Sequence, residues 1–201
     1  MQNKKKKISG DYTKVEEILI KAGWSKNRDI TSQIQHAPLY KLFPKKIIEF
    51  ITVFGGLQIS RTPSIEQIDV MGVDYLENTI IADFYKTNIF NASKDIDVTN
   101  EDDEYYFSVL LGTQIYFVGQ LRENCSLFMD GDGRFYIHTF IPDFFFIADN
   151  AFDTFQKIFF GPNDAVILQE TTLEWIPSLG KELPADPLPL NKKLLKNPWN
   201  F

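Results

Sequence analysis

The residues from Val109 to Gly161 constrain the fold of this chain more than any other stretch. They read LLGTQIYFVGQL, then CSLFMDGDGRFYI, then IADNAFDTFQKIFFG. A short helix stops at Gly112 and an apolar strand covers Gln114–Val118. Strands over Ser126–Asp130 and Phe135–Phe140 then flank the tetrapeptide Asp130-Gly131-Asp132-Gly133. Asp-Gly pairs supply the positive φ angles that a tight turn needs, so this stretch predicts a β-hairpin. Phe144-Phe145-Phe146 continues the sheet, and Ala148, Phe152, Phe155 and Phe159 fall on one face of a helix that Gly161-Pro162 ends. Alternating apolar residues on both sides of the turn place the hairpin 126–140 at the centre of the sheet, in an α+β fold.

Upstream, the periodicity predicts a helix from about Asp11 to Gly23, with Asp11 as its N-cap. Val15, Ile18, Leu19 and Ala22 lie on its apolar face. Trp24 is expected to pack back on the end of that helix, and the stretch from there to His36 reads as polar loop. A second helix begins near Pro44. Its apolar residues (Ile47, Ile48, Phe50, Ile51, Phe54) are too many for one narrow stripe and predict contact with two layers. Gly55-Gly56 stops it and leads into a strand at Leu57–Ser60; Ile65 to Val70 reads as a further strand. Gly72 to Phe90 fits a strand, a short helix or both. Tyr105 to Leu111 reads as a helix capped by Asn100 or a neighbouring Asp, with acids in its first turn to complement the helix dipole.

Three segments follow: a basic N-terminal tail (1–10), one domain (11–170) and a Pro-rich C-terminal tail (171–201). At 201 residues, with 44% hydrophobic and 14% aromatic content, the chain supports one real core, and 18 phenylalanines make it ring-rich. In the tail Pro177, Pro184, Pro187, Pro189 and Pro198 interrupt any periodicity. Such a segment either wraps the domain in extended form or is mobile, and Trp175, Trp199 and Phe201 favour partial docking. No apolar run reaches the roughly 18 residues of a membrane span, and no apolar segment follows the lysines of MQNKKKK as it would in a signal peptide. A soluble cytoplasmic protein is expected, consistent with a single cysteine, Cys125, which excludes an intrachain disulfide.

The charge is unevenly placed. Residues 1–7 carry +4 and residues 181–201 carry +2, which leaves −12 on the body from Ile8 to Gly180 for a net −6. Nucleic-acid binding needs a basic surface, so that class is excluded. An acidic body suits solubility and a basic protein partner. The sharpest surface feature is DIDVTNEDDE, residues 95–104, which holds six carboxylates: Asp95, Asp97, Glu101, Asp102, Asp103 and Glu104. This run is either a solvated loop with a helix cap or an electrostatic landing site for a cationic partner, and these six residues are the candidate partner-binding set.

Catalytic and metal motifs are missing. The only histidines are His36 and His138, and no ligand spacing surrounds them. The Asp-Gly-Asp-Gly run lacks the later Glu of a calcium loop and leads straight into a strand. GGLQI lacks the spacing of a dinucleotide site, and there is no Gly-x-Ser-x-Gly elbow. No cofactor and no enzymatic activity are expected.

Several pieces occur together in an order that resembles one family. A helix ends in Ala22-Gly23-Trp24, with Arg28 soon after, and an apolar helix ends in Phe54-Gly55-Gly56-Leu57. A short helix ending Leu111-Gly112, the strand QIYFVGQL, the strand SLFMDGDGRFYI and a helix with Ala151 and Phe152 complete the set. This ordered set resembles the third immunity-protein family of the SUKH superfamily over roughly residues 12–161. Phe117 stands where the family pattern has a proline before the valine-glycine pair, and neither the 75–104 insert nor the Pro-rich tail belongs to the pattern. The resemblance implies a single α+β domain with a central, largely antiparallel sheet flanked by helices. It also implies a bacterial immunity protein that blocks a cognate polymorphic or contact-dependent toxin, often a nuclease, by binding and without catalysis. The alternative function is an intracellular adaptor, a role that relatives of the family fill.

Overall fold

A computed structural model of the chain describes residues 12–62, 66–78, 103–122, 125–139, 144–161 and 164–194. Eight strands form one sheet in the order β1 to β8, each antiparallel to its neighbours in sequence. They are β1 Gln58–Ser60, β2 Gln67–Val70, β3 Ile115–Leu121, β4 Cys125–Asp130, β5 Phe135–His138, β6 Phe144–Ala148, β7 Val166–Gln169 and β8 Glu174–Pro177. Helices α1 Thr13–Lys21, α2 Thr31–Ile34 and α3 Lys45–Phe54 precede the sheet. Helices α4 Val73–Asn78 and α5 Asp103–Leu111 lie between β2 and β3, and α6 Ala151–Phe160 joins β6 to β7. The α+β class and the antiparallel sheet are as the sequence implies, and the β4–β5 hairpin lies inside the sheet.

Alternation along the strands sorts apolar side chains onto two faces. Leu127, Met129 and Phe135 join Tyr116 and Val118 on one face, packed against Val15 and Leu19 of α1, Phe50 and Phe54 of α3, and Phe155 and Phe159 of α6. Phe128, Tyr136, Phe144 and Phe146 join Val166 and Trp175 on the other, packed against Phe107 and Leu110 of α5 and against Leu194. Helix α3 is apolar over more than one stripe because it fills the centre of the first face, where Ile47, Phe50, Ile51 and Phe54 are all buried.

The helix ends are fixed by specific groups. Trp24 donates its backbone N–H to Leu19 at 2.9 Å, and its ring stacks on Phe54 and meets Phe152 edge-on. The Arg28 guanidinium donates to the carbonyls of Val53 (2.8 Å) and Gly55 (2.7 Å), satisfying acceptors at the open end of α3. Burial lowers the pKa of Arg28. Gly55 is required sterically: a Cβ there would lie 2.5 Å from the Ile51 carbonyl oxygen. Asn150 caps α6 by accepting the Asp153 N–H at 2.9 Å.

Several expectations need correction. The stretch from Trp24 to His36 is not all polar loop: it contains α2, with Ile30 and Ile34 buried, and a 3-10 turn at Leu39–Lys41 follows it. Its few apolar anchors are too sparse for a periodic signal, and packing against the first core decides its form. Ala148 belongs to β6, where it pairs with Phe135, and α6 begins after the Asn150 cap. In the hairpin turn only Gly133 has a positive φ, +96°, so the second glycine, not the first, supplies the left-handed residue. The ambiguous region after Gly72 opens with helix α4.

The largest difference lies past Glu170. Strand β8 pairs with β7 across Gln169↔Glu174, so the expected division at 170/171 falls within a hairpin of the same sheet. Residues 178–194 then run back over the second face as an extended strap, one of the two forms expected for the tail. The Trp175 indole N–H donates to the Pro189 carbonyl at 3.0 Å. Asn191 donates its backbone N–H to Leu110 at 2.9 Å and its side-chain amide to Val109 at 3.0 Å. Trp199, Phe201 and Asp11 lie outside the described residues, and the N-cap position of α1 falls to Tyr12 rather than to the expected Asp11.

Candidate partner-binding surface

The acidic run reaches the described structure at the N-terminus of α5. Asp103 and Glu104 occupy its first turn, where carboxylates meet the positive end of the helix dipole. Both also reach the sheet. The Asp103 carboxylate lies 2.9 Å from Nδ1 of His138 on β5, and the His138 ring packs on Phe107 with centroids 4.9 Å apart. The Glu104 carboxylate accepts the backbone N–H of Phe117 in β3. A proline at 117 would have no N–H to offer, so the departure from the family pattern at this position supplies the donor that Glu104 uses. Glu104 also raises the pKa of the nearby Tyr116 phenol, which burial in the first instance pushes up to about 12.

Helix α5 is tied to the far edge of the sheet as well. The Tyr106 hydroxyl donates to Glu170 at 2.6 Å, and burial followed by that carboxylate raises the Tyr106 pKa. Of the six candidate residues, the structure therefore brings Asp103 and Glu104 into contact with the sheet. Asp95, Asp97, Glu101 and Asp102 lie outside the described residues. The run is thus anchored to the domain at its C-terminal end, an arrangement no sequence pattern announces, because Asp103 and His138 are 35 positions apart.

The hairpin turn forms a second polar centre. The Asp130 carboxylate is fully buried. It accepts the backbone N–H groups of Asp132 (3.0 Å) and Arg134 (2.9 Å), the Tyr136 hydroxyl (2.9 Å) and the Arg134 guanidinium (3.3 Å). These donors satisfy a carboxylate that solvent does not reach. Burial alone would lower the pKa of Arg134, but Asp130 and its other partners outweigh it and raise the value. Tyr136 is pushed far upward by burial and by the Asp130 charge. The network fixes the turn from inside, so Asp130 belongs to the fold and not to an exposed site.

Around that turn the surface is concave. A cleft of about 530 Å³ lies between the turn, the β6–α6 corner and the strap, with Phe146, Leu188 and Pro184 in its lining. A second cleft of about 220 Å³ runs on beside α6 and shares Phe146, Asp149 and Pro184 with the first. Sequence reading missed this surface because its two walls are 30 or more residues apart and one of them is the Pro-rich strap. Among the described residues no group of three or more His, Cys, Asp or Glu side chains is arranged to hold a metal ion. No helix among them is long and apolar enough to cross a membrane.

Comparison with known proteins gives one result. The family model described as SUKH-3 immunity protein matches residues 12–161. No curated protein and no solved structure matches the chain. The matched region runs from the first residue of α1's N-cap to the glycine that ends α6, and so includes both helical layers and six of the eight strands. The hairpin β7–β8 and the strap lie beyond it. An immunity role in general, with a protein toxin as partner in general, goes with that family. By a match that covers well over half of its 201 residues, the chain belongs to the SUKH-3 immunity-protein family.

Proposed function

We propose that the protein neutralises a cognate toxin of a polymorphic or contact-dependent system by forming a stoichiometric complex with it, in the cytoplasm of the bacterium that makes both. The observation that carries this reading is the family match over residues 12–161. The charge of −12 on the body of the chain supports a basic partner, such as a nuclease whose cleft is built for phosphate. No catalytic step is required of the immunity protein. Inhibition follows from covering the toxin's active site or a surface beside it.

The acidic run 95–104 is the proposed landing site for a cationic toxin. Asp95, Asp97, Glu101 and Asp102 supply charge, while Asp103 and Glu104 also hold the end of the run against β5 and β3. The adaptor reading rests on a different feature: Ile176, Leu179 and Leu183 are exposed along β8 and the strap.

The test is co-expression with the toxin encoded beside this gene. Cells carrying both are expected to grow, and the purified proteins to elute as a single complex of fixed stoichiometry. Toxin that kills equally with and without the chain would reject the reading, and a stable complex with a non-toxic partner would favour the adaptor.

A further inference from the structure

We infer that the turn after β8 and the start of the strap, residues 176–184, pair with the same segment of a second copy of this chain in a two-fold symmetric contact. Seven large apolar side chains are exposed among the described residues. Four of them, Ile20, Leu42, Tyr106 and Phe160, are scattered over separate parts of the fold. The other three, Ile176, Leu179 and Leu183, fall within eight positions, and Leu179 is wholly exposed. Apolar side chains gathered in this way on a surface mark a contact site. The segment is also held in one shape. Ser178 donates its hydroxyl to the Ala165 carbonyl at 2.6 Å, and Lys181 donates its backbone N–H to the Ser178 carbonyl at 2.9 Å. Gly180, at φ +76°, supplies the left-handed residue that this turn needs. A surface already ordered loses little freedom on binding.

The order of residue types points to a second copy as the occupant. Residues 179–184 read Leu-Gly-Lys-Glu-Leu-Pro. Laid antiparallel on itself about a two-fold axis between 181 and 182, the segment sets Lys181 opposite the partner's Glu182 twice over, and Leu179 opposite the partner's Pro184. A contact between identical surfaces requires this self-complementarity. Lys181 and Glu182 are both exposed, and neither side chain enters an ion pair or hydrogen bond among the described residues. The segment 176–184 carries one cation and one anion in a chain of net charge −6, so it adds no like-charge repulsion to the approach of two copies. The leucines and Ile176 supply the attraction, and the two Lys-Glu pairs fix the register. The contact needs no toxin, and it gives to a second copy the apolar residues on which the adaptor reading rests.

The test is sedimentation velocity of the purified full-length chain over two decades of concentration. The wild type is expected to pass from monomer to dimer across that range. Leu179→Asp is expected to weaken dimerisation at least tenfold. Lys181→Glu and Glu182→Lys each set like charges opposite one another, and each alone is expected to weaken it several-fold. An equimolar mixture of those two variants puts opposite charges back at both pairs and is expected to recover the dimer, a rescue that a general loss of folding would not give. All three positions are exposed, so the variants are expected to keep the urea midpoint of the wild type. A wild type that stays monomeric throughout, a Leu179→Asp variant that dimerises as the wild type does, or a mixture no better than its components would overturn the inference. A monomeric wild type whose Leu179→Asp variant no longer binds the toxin would give the surface to the toxin and overturn it as well.

Discussion

The two faces of the sheet are packed by different means. The first is covered by regular amphipathic helices: α1, α3 and α6 each place residues at helical spacing against the strands. Among the described residues the second has one regular helix, α5, and completes its cover with a strap that has almost no secondary structure. Both interiors are ring-rich, the first through Trp24, Phe50, Phe54, Phe135, Phe155 and Phe159 and the second through a stack on Phe144. Phe107 stacks on Phe144 at 4.1 Å, Tyr136 stacks on Phe144 at 5.3 Å, and Trp175 lies over both Tyr136 and Phe144. A helix satisfies its own backbone and needs only an apolar stripe, whereas a strap must bond its backbone to its neighbours and be held by side chains. Asn191 and Trp175 do this, bonding to Val109, Leu110 and Pro189.

The two buried tryptophans bring out the contrast. Trp24 closes the first face, and its Nε1 is buried without a hydrogen-bond partner among the described residues. Trp175 closes the second, and its Nε1 holds the strap. Truncation to alanine is expected to lower stability by about 3–5 kcal/mol at either site, seen as a shifted urea midpoint. Only Trp175→Ala should also speed hydrogen exchange of the amides 190–194. Equal exchange in both variants would show that the faces open as one unit. Replacement by phenylalanine sharpens the test. Trp24→Phe removes an unsatisfied donor and should cost less than Trp175→Phe, which leaves the Pro189 carbonyl without its partner.

Asp130 joins the turn to the second face through Tyr136. Asp130→Ala removes the acceptor of a half-buried guanidinium and a buried phenol, and is expected to cost about 3 kcal/mol or more, by the same unfolding measurement. Tyr136→Phe should cost about 1–2 kcal/mol. It should also change the alkaline limit of stability. The folded-state pKa of Tyr136 lies above the ordinary value of 10.0. At neutral pH the phenol is protonated in both states, and its contribution is complete. Above the ordinary value the unfolded chain loses the proton first, so stability falls as pH rises from there toward the folded-state value. Tyr116 acts in the same direction as pH approaches 12. The Tyr136→Phe protein should lose less stability than the wild type between neutral pH and the alkaline limit.

The smallest expected effect concerns the acidic run. Changing Asp102, Asp103 and Glu104 to amides keeps acceptor oxygens for His138 and Phe117 but removes charge from the start of α5. Stability should fall by about 1 kcal/mol. If the run is a landing site, association with the toxin should also slow, and more so at low salt than at high salt. Equal association rates at both ionic strengths would reduce the run to a solvated loop and helix cap.

The first face was legible because periodicity records it. Val15 and Leu19, Phe50 and Phe54, and Phe155 and Phe159 repeat at the spacing of a helix, and the Asp130–Gly133 turn marks its hairpin. The second face was not, because its cover comes from segments that carry no local signal. Trp175 reads as a ring in a Pro-rich tail until β8 pairs with β7 and places it over Tyr136. The candidate site divides in the same way. The sequence shows the carboxylates of 95–104, but the contacts of Asp103 with His138 and of Glu104 with Phe117 exist only once α5 lies on the sheet.

By itself, then, the sequence determined the fold class, the central hairpin, the amphipathic helices and the resemblance to an immunity family. All of these depend on residues within a few positions of one another, where the period of a helix or strand fixes which face is apolar. The tertiary structure alone decided that the Pro-rich tail completes the sheet and its second core, that the acidic run is anchored at its end, and that a cleft lies beside the turn. Each of those depends on pairing between residues far apart in the chain, and such pairing is chosen by the packing of the whole domain rather than by local propensity.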